Sequence, residues 1–510
     1  VKGLNPTLFL ILPLIAAFLL PLGTIIHKRF GKLLNVVTYG IGLAIGITLL
    51  MPTLLAGGTV IQMGGWPAPY GIVLYLGPLA LCAGLVIYLI ALLIEINDIN
   101  KSRTTYFHLL FNLFIFSSIA MLMTSDLFNL FVMMEIGSIA VAGMASSANM
   151  RMGSRGGIKY IVMSGAVSML MLAAIGLLYS ATGTLNIAHL ASRTSDVLNP
   201  SFGFIVGLGL LFAMFFETEQ FPFNTWVPEI YEGTPSSLTA AIAGIGGIAA
   251  AGVFGRVIFT LIQGGSVFYG IFPKLSVIIY IVAIASVLIG EIAALNEQNL
   301  KKMLGFSTVA QFGLILMAFA SGGQNGALAG IYLIVSHTVA KPGLLFIAGF
   351  FSKSADKGDW KDMKGIGRRF PFLAGAFIAL SLSIMGVPMF FGFWGKLELF
   401  QTLLTGDIFG KIAFGAVLLG AIFEGIYLLR VGHSFFVKPD GADIQKFDAK
   451  GAFVTAIPVL ILALIVVILG VYPQSIVWSF EKIAADLVDR TQYIAHILPN
   501  LIPAVPGGGL

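Results

Sequence analysis

Glu217-Thr218-Glu219-Gln220-Phe221-Pro222-Phe223-Asn224-Thr225-Trp226-Val227-Pro228 is a polar, proline-broken passage set inside a long hydrophobic tract. Its two carboxylates lie within a few residues of a helix-breaking proline, at what the flanking sequence makes membrane depth. Charged side chains are expensive in hydrocarbon, and unwound backbone is tolerated there only beside protein or a water-filled cavity. A second interrupted segment, Ile384-Met385-Gly386-Val387-Pro388-Met389-Phe390-Phe391-Gly392-Phe393-Trp394-Gly395-Lys396, carries a lone lysine. Broken hydrophobic segments in corresponding halves of a chain mark a transporter built on inverted repeats. The pair points to an ion pathway.

Outward from these breaks, the composition sets the class. Of 510 residues, 58% are hydrophobic and 10% charged, against roughly 25% charged in a soluble domain. Successive apolar stretches of membrane length predict an all-α polytopic membrane protein with about 14 transmembrane helices, the seventh and twelfth broken. A β-barrel would show alternating segments of about 10 residues, and the sequence has none. The single cysteine, Cys82, sits in an apolar run and excludes an intramolecular disulfide, a haem-attachment motif and a cysteine-ligated iron–sulfur cluster. There is no glycine-rich phosphate loop, and the longest polar stretch, Ser352 to Arg369, is too short to fold alone. No cofactor, catalytic centre or resident metal is expected, so energy for transport must come from an ion gradient or a partner subunit. The net charge of +6 reads as a topology signal and not as affinity for nucleic acid. Thr7 to Ile26 is long enough to span and lacks a cleavage site, so it reads as the first span.

Spans are expected to begin near Thr7, Asn35, Gly71, Tyr106, Leu127, Ile158, Phe202, Ser236, Leu275, Leu304, Ala327, Phe372, Ala413 and Ala452. Basic residues cluster in alternate loops: Lys28, Arg29 and Lys32; Lys101 and Arg103; Arg151 and Arg155; Lys301 and Lys302; Lys353, Lys357, Lys361, Lys364, Arg368 and Arg369; and Lys438, Lys446 and Lys450. The intervening loops hold only isolated Arg193, Lys274 and Lys411. By the positive-inside rule both termini lie on the outer face. Glu229 and Glu232 make one inside loop acidic, which weighs little in topology. Pro499 to Leu510 reads as a tail.

Intramembrane ionisable residues are functional candidates by default. Glu135 lies mid-way down an apolar helix, as a proton or cation site or else as a buried neutral acid. His337 and Lys341, four apart, share a helix face, and Pro342 leaves room for water or a π-bulge. Lys341 either exchanges protons or is fixed by one carboxylate. Lys396 sits past the Pro388 break with Glu398 as its near neighbour, either buried or snorkelling to the interface. Glu217 and Glu219 are two apart and need not share a site. Arg256, Glu291, Glu424, Arg430 and His108 are further candidates nearer the span ends.

These segments resemble the antiporter-like subunits shared by respiratory complex I, Mrp-type sodium/proton antiporters and membrane-bound (group 4-type) hydrogenases or related ferredoxin-driven complexes. Asp126-Leu-Phe-Asn-Leu-Phe-Val-Met-Met-Glu135 is similar to the family's fifth-helix motif, and Leu178 to Ala191 to the loop after helix six. Gln220 to Pro228 and Pro235 to Ala240 resemble the signature of broken helix seven. Asn299 to Ser307 with Gln311-Phe-Gly313 resembles helix ten; His337 with Lys341, and Gly392 to Lys396, resemble helices eleven and twelve.

The resemblance implies N-terminal helices over residues 1–104, two inverted five-helix repeats over 105–265 and 270–440, and a last helix with a tail over 441–510. It places Glu135 in the first half-channel and a polar axis along the midplane, with His337, Lys341 and Lys396 in the second half. This chain departs from the pattern where Glu217 holds the place of the helix-seven lysine, Ile248 that of the helix-eight base, and Gln311 that of the helix-ten histidine. Either Glu135 and Glu217 form a carboxylate pair for a proton or a transient sodium ion, or the first half is silent and relays charge shifts electrostatically. Glu219, Arg256, Gln311, Glu398 and Glu424 are secondary candidates. The implied setting is a prokaryotic-type cytoplasmic membrane. The implied partners are other membrane subunits, through them a peripheral redox module, the lipid bilayer, and H+ with Na+ as an alternative.

Overall fold

The computed structural model describes residues 5–26, 30–147, 151–193, 198–263, 268–355, 357–438 and 448–499. Lys28, Arg29, Lys446 and the tail from residue 500 onward lie outside them. Twelve helices among the described residues are long and apolar enough to cross a membrane, and two shorter apolar helices, Thr7–Gly23 and Pro371–Met385, accompany them.

The chain opens with α1 (Thr7–Ile26), α2 (Phe30–Ala56), α3 (Pro78–Asn97) and α4 (Thr105–Met123). It continues through α5 (Leu127–Ser146), α6 (Arg151–Thr182), the short α7 (Ile187–Ser192), α8 (Pro200–Glu217) and α9 (Val227–Gly233). A central helix, Ser236–Ile262, follows. It is made of α10 (Ser236–Ala241), a π turn (Ile242–Gly246), α11 (Gly247–Arg256) and a second π turn (Val257–Ile262). Then come α12 (Phe272–Asn296), α13 (Leu300–Ser321), α14 (Gly323–Ala355), α15 (Ile366–Arg369), α16 (Pro371–Met385), α17 (Gly392–Thr405) and α18 (Ile408–Ser434). The chain closes with α19 (Ala449–Val471), α20 (Gln474–Val488) and α21 (Arg490–Ile497).

Polar residues at the helix starts take up amides that the first turn leaves free. Thr104, Asp126, Asn299, Asp407 and Asp448 each accept a backbone N–H from the first turn of α4, α5, α13, α18 and α19. Packing grades from outside to inside. The central helix, α13 and α14 are almost wholly buried, whereas α2 and α19 turn most of their surface outward. Between α10 and α11 the run is glycine- and alanine-rich because neighbours come close. A Cβ on Gly247 would meet the Phe312 ring at 2.6 Å, and one on Gly244 would meet Pro342 at 2.9 Å.

The fold is mostly helical, with one short hairpin added: Thr59–Gln62 (β1) pairs antiparallel with Val73–Leu76 (β2). Both strands hold β-branched or aromatic residues, and Gly57 and Gly58 turn the chain into β1 with positive φ. The third span therefore starts at Pro78, not Gly71. The π-bulge expected beside Pro342 is not in α14, which is α-helical through that residue; the π turns lie in the facing central helix. The segment after α19 is not merely a tail. After Tyr472-Pro473 it folds back as α20, which packs on α14 and α3, and then α21, which packs on α7.

The acidic loop after α8 is tied to basic residues around it. Lys159 pairs with Glu229 at 2.8 Å, Lys302 lies 3.1 Å from Glu297 and 3.8 Å from Glu232, and the Lys301 ammonium donates to the carbonyls of Glu232 and Thr234. The acidic loop of Glu229 and Glu232 is thus neutralised by basic residues of neighbouring helices.

Candidate ion-translocation site

The second break is built by backbone. α16 ends on Gly386 in the left-handed region (φ 78°), and Met389 follows at φ 76°. The α16 carbonyls left open there are partly negative and favour a cation. Lys396, one turn into α17, donates to the Met385 carbonyl at 3.1 Å and to Glu424 Oε2 at 2.6 Å. Gln311 of α13 donates to the other oxygen, Glu424 Oε1, at 2.6 Å. Lys396 is therefore buried and paired across to α18, and does not snorkel. Glu398 is only partly buried and takes no part in the pair.

Lys341, fully buried on α14, donates to Ser307 Oγ of α13 at 2.8 Å. Among the described residues no carboxylate comes within ion-pair distance of it, so one fixed partner does not hold its charge. His337, one turn earlier, is buried with its ring 4.9 Å from that of Phe312 and beside the Ala243 backbone of the central helix. Glu291 of α12 is buried against Gly420 of α18 and beside the Tyr427 hydroxyl.

The first break sends its two carboxylates apart. Glu217 is the last residue of α8. With Glu135 of α5 it lines a cavity of about 10 Å³, room for roughly one water. The described lining includes Ser164 and Ser168 and no basic side chain. Glu219 sits in the left-handed region (φ 58°) and turns inward, where the Tyr231 hydroxyl donates to its Oε1 at 3.4 Å while Oε2 has no hydrogen-bond partner among the described residues. Tyr231 lies on Gly305 of α13, two residues from the Ser307 that holds Lys341. The unwound backbone between them is satisfied by neighbours: Ser286 Oγ accepts from the Phe221 amide, and the Gln220 amide group donates to the Thr218 and Val309 carbonyls.

Two other sequence candidates are placed elsewhere. Arg256 is buried and donates to the Asp486 carboxylate and carbonyl, with its guanidinium 4.6 Å over the Tyr493 ring; it clasps α20 and α21 to the central helix. Arg430 donates to the Leu295 carbonyl at the end of α12 and lies over Trp360. Ile248 is buried and apolar, so no base stands at that position of the central helix. Sequence reasoning did not find Ser307 or Tyr231. Their signal was faint: hydroxyls at helical spacing from better-marked residues.

A bundle of membrane-length helices, interrupted in two places around buried ammonium and carboxyl groups, defines an antiporter-like membrane protein. The chain belongs to the NADH:quinone oxidoreductase/Mrp antiporter transmembrane family, which it matches over residues 124–422. It is 30% identical to the NADH-quinone oxidoreductase subunit N of Desulforudis audaxviator, covering 92% of this chain and 96% of that protein. It is 25% identical to a Na(+)/H(+) antiporter subunit of Alkalihalophilus pseudofirmus, over 96% of this chain and 99% of that one. Among solved structures, a chain of the membrane-bound sulfane sulfur reductase, an archaeal respiratory membrane complex, superposes with a TM-score of 0.88 at 28% identity, covering 96% of this chain and 99% of that one.

Proposed function

We propose that this chain translocates protons, with sodium exchange as the alternative coupling, as one membrane subunit of a redox-driven complex. A hydrogenase-type or related ferredoxin-driven assembly is the favoured setting, ahead of an Mrp antiporter or complex I. The observation that carries it is the buried set Lys341, Lys396, Glu219, Glu291 and Glu424. Three carboxyls face two ammoniums in a poorly screened interior, so the set is electroneutral with one exchangeable proton. Protons would pass by His337 and Lys341 toward the Lys396–Glu424 pair, with Gln311 fixing Glu424 in place.

In this reading the twelve long spans and the two shorter ones make 14 crossings. Residues 105–265 and 270–440 form the inverted repeats, residues 1–104 precede them and 441–510 complete the chain. Both termini face outward, with the lysine-rich loops inside. Other membrane subunits contact the chain and connect it to a peripheral redox module.

Glu135 and Glu217 are the open part of the reading. Their shared cavity suits a proton between two acids, or a hard cation on carboxylate oxygens. The lack of a basic side chain there supports the second reading, a first half that conducts nothing and acts only as a coupling or spacer element. Ion uptake by vesicles holding the intact complex separates the two. Glu217→Gln is expected to cut uptake about as severely as Lys396→Ala if both halves form one path. Unchanged uptake in Glu217→Gln, with loss in Lys396→Ala, makes the first half silent. Full uptake in both variants rules out the translocation reading and leaves a spacer.

A further inference from the structure

The N-terminal helices, outside both breaks, hold a polar cluster that the translocation axis does not use. Asn35 of α2 donates from Nδ2 to Glu95 Oε1 of α3 at 2.6 Å, and the same group lies 3.1 Å from His108 Nδ1 of α4. Asn112 donates to Asn35 Oδ1 at 2.8 Å and fixes that amide, and Tyr39 donates to Asn112. Glu95 and His108 are both more than nine-tenths buried, yet both line a cavity of about 610 Å³ that opens at the lysine-rich loops. Glu95 Oε2 has no hydrogen-bond partner among the described residues.

A cavity of that size holds many waters. Its rim bears Lys32, Lys101 and Arg103, but their charges are turned elsewhere. The Lys32 ammonium donates to the carbonyls of Asp98, Ile99 and Lys101, while Lys101 and Arg103 pair with Asp98. Burial alone would raise the Asp98 carboxyl, and Lys101 and Arg103 beside it hold it below its usual value instead. Among the described residues the Tyr39 phenol also faces the cluster. For a metal the floor is poor, with one carboxylate oxygen to offer and no group of three ligating side chains among the described residues. A proton needs only that oxygen.

We propose that Glu95 and His108 form a proton-binding pair of their own, reached by water through this cavity from the lysine-rich face. Cavity water delivers a proton that forms an O–H bond at Glu95 Oε2, and the same bond breaks when the proton leaves. The second acceptor is His108 Nδ1, 3.3 Å from Glu95 Oε1. In the tautomer that carries its hydrogen on Nε2, Nδ1 accepts from the Asn35 amide 3.1 Å away. Protonation at Nδ1 replaces that contact with an ammonium-like donor to Glu95. The pair thus has two arrangements with different charge, one turn from a clamp on the central helix: Ser237 Oγ donates to Asp98 at 2.6 Å and accepts from Arg103 at 2.7 Å.

The test is chemical and does not depend on pumping, so it stands or fails apart from the proposed function. A hydrophobic carbodiimide adds to carboxyls in their protonated form. On the intact complex in native membranes, mass spectrometry should find an adduct on Glu95 that is lost in Glu95→Gln. Its pH profile should show the two steps of a coupled pair, reduced to one step in His108→Gln. In a Cys82→Ala background, Val36→Cys on the cavity wall should react with a charged, water-borne thiol reagent. Absence of the Glu95 adduct at every pH in an assembled complex, a single-step profile that His108→Gln leaves unchanged, or an unreactive Val36→Cys would each overturn the proposal.

Discussion

Lys396→Ala is expected to bring ion uptake by the assembled complex down to background. The ammonium holds three things together: the open carbonyl end of α16, the Glu424 carboxylate and, through it, Gln311. Removing one partner of a buried ion pair costs about 3–5 kcal/mol when the other charge is left stranded. Glu424 keeps its hydrogen bond from Gln311 in the variant but loses its counter-charge. Lys396→Met with Glu424→Gln keeps the volume and removes both charges, so it should assemble at the wild-type level and still not pump. Uptake by proteoliposomes, beside the assembled fraction on native gels, measures both quantities. Wild-type uptake in Lys396→Ala would remove this residue from any path.

Arg256→Ala should have the largest structural effect. The guanidinium binds both the side chain and the backbone of Asp486 and lies over Tyr493, and Tyr75 of β2 donates to the same carboxylate at 3.0 Å. Loss of the pair is expected to cost about 3–5 kcal/mol, with up to about 2 kcal/mol more from the ring contact. The cost falls on α20 and α21, whose hold on the bundle runs through this cluster. Limited proteolysis should therefore cut after α19 in the variant and spare the wild type. Asp486→Ala should behave alike, and the double variant should lose little more than either single one. Equal protease resistance in all four proteins would show that the apolar face of α20 holds the segment without the charges.

The course of the chain was readable where its signals are strong. Pro222 and Pro388 marked both breaks, and Lys341 and Lys396 stood out because charge is rare in apolar helices. The pairing was not readable. Glu398 lies two residues from Lys396, yet on a helix that spacing points to the other side, and the partner comes from Glu424 on α18. Adjacency in sequence was a poor guide because tertiary packing decides which helices meet. The hairpin of β1 and β2 escaped notice because each strand is four residues long and adjoins an apolar span. Glu95 escaped because it falls in the last turn of α3, where a carboxylate normally reaches water.

Glu219 has a further consequence for anyone who breeds this protein for robustness. A residue with a Cβ in the left-handed region costs about 1–2 kcal/mol relative to glycine, and this one also keeps an unpartnered carboxyl oxygen out of water. Glu219→Gly relieves both burdens at once. A screen for heat tolerance alone should enrich that clone, with a raised Tm and no carboxyl facing Tyr231. Selection on thermal melting without an uptake assay would then steer towards a protein that lacks one carboxyl of the proposed buried set.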